Sequence, residues 1–378
     1  MLGGIEKRGA AYLSGGDLGE AQCNSMSRTS PELSISVIIP VHKGGENFRR
    51  CLSSLAAAIP PPGEIIVVAD GDADGSWLLA EEFGARVLKL ATRGGPAQAR
   101  NLGARAARGA LLFFVDADVT LPVDAMSQVV AAFTGEPDLA AVFGSYDDEP
   151  AATNFLSQYK NLFHHYVHQT AREEASTFWG ACGAIRREVF LALGGFDERY
   201  RWPSIEDIEF GYRLTRGGGK IRLRRTLQVK HLKRWGITSL LKADFRYRAL
   251  PWTALVLRER RLPDDLNLRL SSRVSVVLTY GLLVAGVSVW WWPESFVVVG
   301  VIVLLLLALN APLYRFFWRK RGLWFAAQTV PWHWLYYFYS GLAFAIGLVA
   351  SLLRGNSSTK TNAAAVMEGQ SPSGKPSG

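Results

Sequence analysis

The run from Gly109 to Asp118 passes without a break from large apolar side chains to two carboxylates, and it limits the fold more than any other stretch of the chain. Leu111-Leu112-Phe113-Phe114-Val115 is apolar at every position, as a strand covered on both faces must be. Asp116 and Asp118 follow at once. In extended backbone, residues i and i+2 point to the same side, so the two carboxylates can converge at the mouth of a sheet. Hard divalent cations such as Mg²⁺ or Mn²⁺ take one or two protein carboxylates together with substrate phosphates. An isolated Asp-x-Asp is more often an acidic surface turn, and only its neighbours can raise it above chance.

Those neighbours alternate strand and helix. Ser34–Val41 reads as a buried strand ending at Pro40, with His42, Lys43 and Gly44-Gly45 as the loop beyond it. Phe48, Leu52, Leu55 and Ile59 recur at helical spacing, and Pro60-Pro61-Pro62-Gly63 ends that helix. Glu64–Ala69 is a second buried strand, followed by the acidic turn Asp70–Ser76 and another helix. Arg86–Leu90 makes a third strand. A basic helix over Gln98–Arg108, introduced by Gly94-Gly95-Pro96, leads into the opening run. This order predicts an α/β domain with a mostly parallel sheet. Ligands in such sheets bind beyond the carboxyl ends of the strands. Pro40–Lys43, Asp70–Asp74 and Asp116–Asp118 all stand there.

Three such loops with a basic helix beside them suit a nucleotide diphosphate held through a metal ion. No Gly-x-Gly-x-x-Gly follows the first strand and no Walker-type loop occurs, which argues against a dinucleotide or P-loop site. Asp74 reads as a helix cap and Asp70 as functional. Arg100 sits on the basic helix, where a solvated face is the default, yet it lies just before the double-Asp strand.

Ser36-Val37-Ile38-Ile39-Pro40, Val67-Val68-Ala69-Asp70-Gly71, Ala99-Arg100-Asn101-x-Gly103 and Asp116-Ala117-Asp118 together resemble the family 2 glycosyltransferases of the GT-A fold. The match in order and spacing extends over roughly residues 35–235. The resemblance implies a Rossmann-like nucleotide-binding domain and a nucleotide diphosphate-sugar donor, UDP-linked by preference and GDP-linked as the alternative. It puts the base near Pro40 and His42, Asp70 on the base's edge, Arg100 and Asp116 at the donor, and Asp118 on the metal. His42 stands where a stacking Tyr is usual, and Lys43 where an Asn is usual.

Ala140–Gly144 reads as a further strand. Residues 153–172 are rich in His and aromatic side chains; His164 and His168 are four apart, but a helix packed against a membrane or acceptor explains them better than a metal pair. Glu206-Asp207 opens an amphipathic helix, where acidic residues are favoured by the helix dipole alone. Transfer to a sugar or lipid hydroxyl needs a carboxylate to take its proton. The resemblance assigns that role to Asp207, with Glu206 in support, and makes inversion the stereochemical outcome. Glu209 reads as a surface residue. His231 matches a position from which many family members add a metal ligand.

The net charge of +9 fits an anionic substrate or membrane surface. Hydrophobic residues make up 49% of the chain and are concentrated in its last third. Cys23, Cys51 and Cys182 show no metal-ligand spacing and read as free thiols. Residues 1–33 and 354–378, polar and Gly/Ser-rich, read as disordered. Between the expected catalytic domain, 34–235, and the spans lies a segment, 236–273, that reads as basic and membrane-interfacial. The basic and aromatic residues from Lys220 to Arg273 read as a collar that suits an anionic bilayer better than nucleic acid, because hydrophobic spans follow. The spans fall at about 274–292, 295–314 and 332–353, each near the ~20 residues a crossing needs. Arg and Lys at 220–273 and 315–321 place both segments on the cytoplasmic side of a multi-pass plasma-membrane protein. The expected activity is therefore sugar transfer to a lipid, lipid-linked or glycan acceptor. A processive polysaccharide synthase fits less well, since Asp244–Trp252 lacks the Gln-x-x-Arg-Trp motif of those enzymes. A silent nucleotide-binding scaffold fits less well with Asp70, Asp116, Asp118 and Asp207 all present.

Overall fold

The computed structural model describes residues 33–71, 74–259 and 269–368, with side chains as far as Leu353. The first half runs β1 (Ile35–Val41), α1 (Gly45–Ala56), β2 (Glu64–Asp70), α2 (Ser76–Glu82), β3 (Arg86–Leu90), α3 (Pro96–Ala106) and β4 (Leu111–Val115). Then come β5 (Val119–Thr120), α4 (Ala125–Gly135), β6 (Leu139–Tyr146), α5 (Phe155–Thr170), β7 (Glu174–Ala175), β8 (Cys182–Arg186), α6 (Arg187–Ala192), α7 (Glu206–Arg216) and β9 (Lys220–His231). These strands form one sheet in the order β3-β2-β1-β4-β8-β6-β9-β5, with β7 on β9.

β3, β2, β1 and β4 are parallel, with Val37 opposite both Ile65 and Phe113. β8 then reverses direction, pairing Val115 with Cys182. Strands β1 and β4 are buried at nearly every position because helices cover both faces. One core layer packs α1 and α4 beneath the sheet; the other gathers Phe114, Phe178, Phe190, Phe196 and Phe210 between the sheet and α3, α6 and α7. The ring centroids in that group stand 5.1–6.3 Å apart. This rigid floor fixes where α3 and α7 present their polar ends. The parallel strands all finish on one edge, which collects the loops after Val41, Asp70 and Val115.

The rest is helical: α8 (Ile237–Lys242), a π-helical turn (Ala243–Ala249), α9 (Leu250–Glu259), α10 (Leu270–Ser288), α11 (Ser295–Leu309), α12 (Ala311–Arg321) and α13 (Leu323–Glu368). Among the described residues, Leu270–Ser288 and Leu323–Leu353 are each long and apolar enough to cross a membrane. The stretch expected as one span at 295–314 is two helices bent by 64°, giving a third crossing only if the bent pair counts as one. The bend falls at Asn310, followed by Pro312, whose missing N–H suits a helix start. Asn310 Nδ2 donates to Ser275 Oγ at 3.1 Å and accepts at Oδ1 from Tyr337 at 2.7 Å, so the break is tied to α10 and α13.

Three expectations need correction. Lys220–His231 belongs to the sheet and not to a membrane collar: its alternate residues Ile221, Leu223, Leu227 and Val229 are core. Glu209 is buried, because Arg213 binds its carboxylate at 2.9 Å and folds over it. The backbone of 354–368 continues α13 where disorder was expected. The expectation for residues 1–33 falls almost wholly outside the described residues.

Candidate functional site

The site starts from Arg100 on α3. A guanidinium is planar and always charged, and it can hold two carboxylates at once. Arg100 is 4% exposed; its Nη2 donates to Asp116 Oδ1 at 2.7 Å and its Nη1 to Glu206 Oε1 at 2.8 Å. It thereby joins the end of β4 to the start of α7, and Arg100 and Glu206 are 106 residues apart in sequence. Gly180 lies against the guanidinium: a Cβ there would come within 3.1 Å of Arg100 Cζ, so a side chain would push the arginine from its two partners. Glu206 also accepts from Ser204 N at 2.9 Å, which closes the turn before α7. Glu206 is thus a structural partner of Arg100, fully engaged and buried.

Asp207, next along, is half-buried and faces the open side. Gly180 N donates to Oδ2 at 3.0 Å and Ile208 N to Oδ1 at 2.8 Å. Burial foremost, and then the neighbouring Glu206, push its carboxyl up to about 7, against the lowering effect of these N–H groups and Arg100. A carboxylate with that value is poised to take or hold a proton near neutral pH.

Asp116 and Asp118 lie on the same edge, and burial raises the pKa of both from the usual carboxylate value. Asp116 is pinned by Arg100. Asp118 faces His231 at the end of β9, with Oδ2 3.9 Å from Nε2, too far for a hydrogen bond. Burial pushes His231 down to about 3, so its ring is neutral and able to act as a ligand. The ring is stacked on Tyr146 with centroids 4.4 Å apart, and Tyr146 meets Trp179 edge-on at 4.7 Å. Among the described residues no three His, Cys, Asp or Glu side chains form a metal cluster. Asp118 and His231 therefore fit an ion whose remaining ligands come from a substrate phosphate and water, and not a closed protein cage. His164, half-buried, and His168, buried, are both neutral, edge-on to each other at 6.2 Å, and belong to the aromatic wall.

The base-side candidates share one loop edge. Asp70 accepts from Gly94 N at 2.6 Å and Gly95 N at 2.9 Å, so both carboxylate oxygens hold the loop before α3. Gly95 makes this possible: its φ is +92° and its Cα abuts the Arg201 carbonyl, where a Cβ would stand 2.3 Å from the oxygen. His42 Nδ1 donates to the Asp70 carbonyl at 2.8 Å, which fixes the ring's plane at the tip of β1 next to Pro40. Asp74, one residue before the α2 N-cap Gly75, accepts at Oδ1 from Ser76 Oγ at 2.6 Å and Ser76 N at 3.2 Å and so braces the helix start.

Sequence reasoning missed Tyr146, Trp179 and a second polar centre. Lys160 on α5 donates to both oxygens of Asp244, at 2.8 and 2.7 Å; Arg248 Nη1 donates to the same carboxylate at 3.1 Å and the Tyr339 hydroxyl at 2.8 Å. Arg248 also stands within electrostatic reach of Asp207 and Tyr146. Its only sequence signal was an Arg and a Trp four apart, Arg248 and Trp252.

Comparison with known proteins accords with this architecture. Residues 36–194 match the model of the family described as Glycosyl transferase family 2. The putative glycosyltransferase EpsH of Bacillus subtilis is 32% identical over 194 residues, 47% of this chain and 55% of EpsH. The glycosyltransferase GlyG of Streptococcus pneumoniae is 31% identical over 30% of this chain and 38% of its own length. The O-antigen biosynthesis protein RfbC of Myxococcus xanthus is 32% identical over 32% of this chain, but over only 10% of RfbC. The chain thus spans between a tenth and about half of these relatives. Among solved structures, the mannosyltransferase PcManGT from Pyrobaculum calidifontis, in complex with GDP-Man and Mn²⁺, superposes with a TM-score of 0.55 at 17% identity, over 79% of this chain and 87% of that one. Residues 36–194 are thus similar to a family 2 glycosyltransferase domain, within an architecture of the GT-A fold.

Proposed function

We propose that the protein is a membrane-embedded, metal-dependent, inverting glycosyltransferase that moves a sugar from a nucleotide diphosphate-sugar to an acceptor hydroxyl. The observation that carries this reading is Asp207. Its carboxylate is oriented by two backbone N–H groups, poised near neutral pH, and set on the same edge as Asp116 and Asp118. The donor's base would rest by His42 and Pro40, over the loop that Asp70 braces. Its diphosphate would lie by Asp116 and Asp118, with Asp118 and His231 holding Mg²⁺ or Mn²⁺. A divalent cation there offsets the charge on the leaving diphosphate.

Asp207 takes the proton of the acceptor hydroxyl as its oxygen bonds to the anomeric carbon. The bond from that carbon to the diphosphate breaks on the opposite face, and the electron pair leaves with the nucleotide diphosphate. One in-line displacement inverts the centre. Arg100 holds Asp116 and the start of α7 in register, so base and donor carboxylates keep their spacing through turnover.

α12 supports a membrane-bound arrangement. Leu313 and Phe317 pack on Tyr159, Leu162 and Phe163 of α5, Arg321 Nη2 donates to the Asp148 carbonyl at 2.6 Å, and Lys320 pairs with Asp148. The basic end of α12 is thus on the catalytic side, and basic residues collect on the cytoplasmic face. Calorimetric titration of UDP and of GDP with Mn²⁺ tests the donor reading. One nucleotide is expected to bind in a metal-dependent way, and Asp118→Ala is expected to abolish it with the fold intact by circular dichroism. Unchanged affinity in the variant would refute the metal assignment.

A further inference from the structure

A cavity of about 730 Å³ opens beside Asp207 and is lined by both the catalytic domain and the apolar helices. Its volume is in the range of sites that enclose a small organic ligand. On the catalytic side it meets Trp179, His168 and Asp207; on the helix side it meets Val276, Val277 and Tyr280 of α10, and Phe344 and Ala345 of α13. Val277 is 71% exposed and Phe344 42%, so the cavity runs out onto the same apolar surface that faces the bilayer in the proposed arrangement. A long apolar chain could enter sideways between α10 and α13 without leaving the hydrocarbon.

The charges inside decide what its head must be. Lys160 spends two donors on Asp244, and Arg248 a third, so that carboxylate is matched and Lys160 is committed. Arg273 also lines the cavity and has a partner of its own. What remains beside the reacting edge is the Asp207 carboxylate, with Arg248 shared between it and Asp244. A phosphate head would set a dianion against Asp207 with half a guanidinium to offset it. It would also have no proton for a base to remove. An alcohol suits both facts: it is uncharged, and it becomes a nucleophile only when a carboxylate accepts its proton. His168 adds an independent sign. It is 6% exposed, lines the cavity, and its Nδ1 is buried with no hydrogen-bond partner, so a polar head has a group to bind.

We infer that this cavity is the acceptor site and takes a neutral amphiphile with a free alcohol, its apolar tail between α10 and α13 and its hydroxyl at Asp207. The assignment of the hydroxyl to Asp207 rests on the glycosyl-transfer reading above; the lipid site itself does not.

The test uses the full chain in phosphatidylcholine nanodiscs with tritiated farnesol, dioleoylglycerol and farnesyl phosphate. At least one alcohol is expected to bind saturably at one per chain. Val276→Trp and Ala249→Trp, which narrow the cavity from two sides, are expected to weaken it at least about tenfold. UDP and GDP titrations on the same samples should not move. Neither alcohol binding, or binding indifferent to both substitutions, overturns the site. Farnesyl phosphate binding as tightly as the alcohols overturns the choice of head. Alcohol binding without any nucleotide binding would instead defeat the glycosyl-transfer reading, and with it the role given to Asp207. Nucleotide binding without lipid leaves that reading and removes this inference.

Discussion

Asp207 makes the proposed mechanism measurable by pH. Burial and Glu206 hold its carboxyl up at about 7, while Arg100 and Arg248 on the adjoining elements oppose that rise. Only the ionised form can accept a proton, so the single-turnover transfer rate is expected to climb with unit slope up to about pH 7 and then level. Asp207→Asn should abolish this limb and lower the rate by roughly 10²–10⁴-fold with nucleotide binding retained. If Glu206→Gln loses the rate instead, the base is one residue away. Stability runs the other way. The folded state keeps a proton that the unfolded chain releases near about pH 4, so Asp207 favours the fold most below that value and its contribution is lost as pH rises toward 7. Arg100 makes a complementary case. Arg100→Met leaves Asp116 and Glu206 without their shared cation and is expected to cost about 3–5 kcal/mol, read as a lower Tm. Arg100→Lys should rescue it only in part, since an ammonium cannot bridge the two with a fixed fork.

Among elements, β1 to β4 were legible because buried parallel strands are apolar throughout, and their carboxyl ends place Pro40, His42, Asp70, Asp116 and Asp118 together in any fold of this class. β9 was obscured by counting. Its Lys and Arg residues dominate a composition window, yet they alternate with Ile221, Leu223 and Val229, and period two decides which face is core. Glu209 was misread because helical periodicity shows which face is polar, but not that Arg213 closes over it. The break at Asn310 lies inside a stretch of uniform hydropathy. The pairs that build the site, Arg100 with Glu206 and Lys160 with Asp244, join residues 106 and 84 apart and leave no local pattern. That second pair carries its own prediction. Lys160→Met leaves the buried Asp244 with only Arg248 and the Tyr339 hydroxyl and is expected to cost about 3 kcal/mol. Lys160→Met with Asp244→Leu should recover much of the loss, and a thermal-denaturation double-mutant cycle should give a coupling of about 1–3 kcal/mol.

At the scale of the molecule, the proposed arrangement has the helices set the catalytic edge relative to the bilayer. In a Cys23→Ser background, where Cys51 and Cys182 are buried, a cysteine at Glu294 is expected to react with an impermeant maleimide on intact cells, and one at Gly322 is not. The reverse pattern would invert the orientation and cut the site off from cytoplasmic donors. α11 has 15 residues and rises about 22 Å, short of the ~30 Å hydrocarbon core, and the chain then turns at Asn310 to lay α12 against α5. Tyr339 on α13 and Lys160 on α5 meet at the same Asp244. The catalytic domain is therefore bolted to its helices at two places and cannot swing on a tether. In the proposed membrane arrangement such an enzyme would work as a depth gauge: it would select substrates by the height at which they carry a hydroxyl above the membrane, and inserting a few ethylene-glycol units between tail and alcohol is expected to silence an otherwise good substrate.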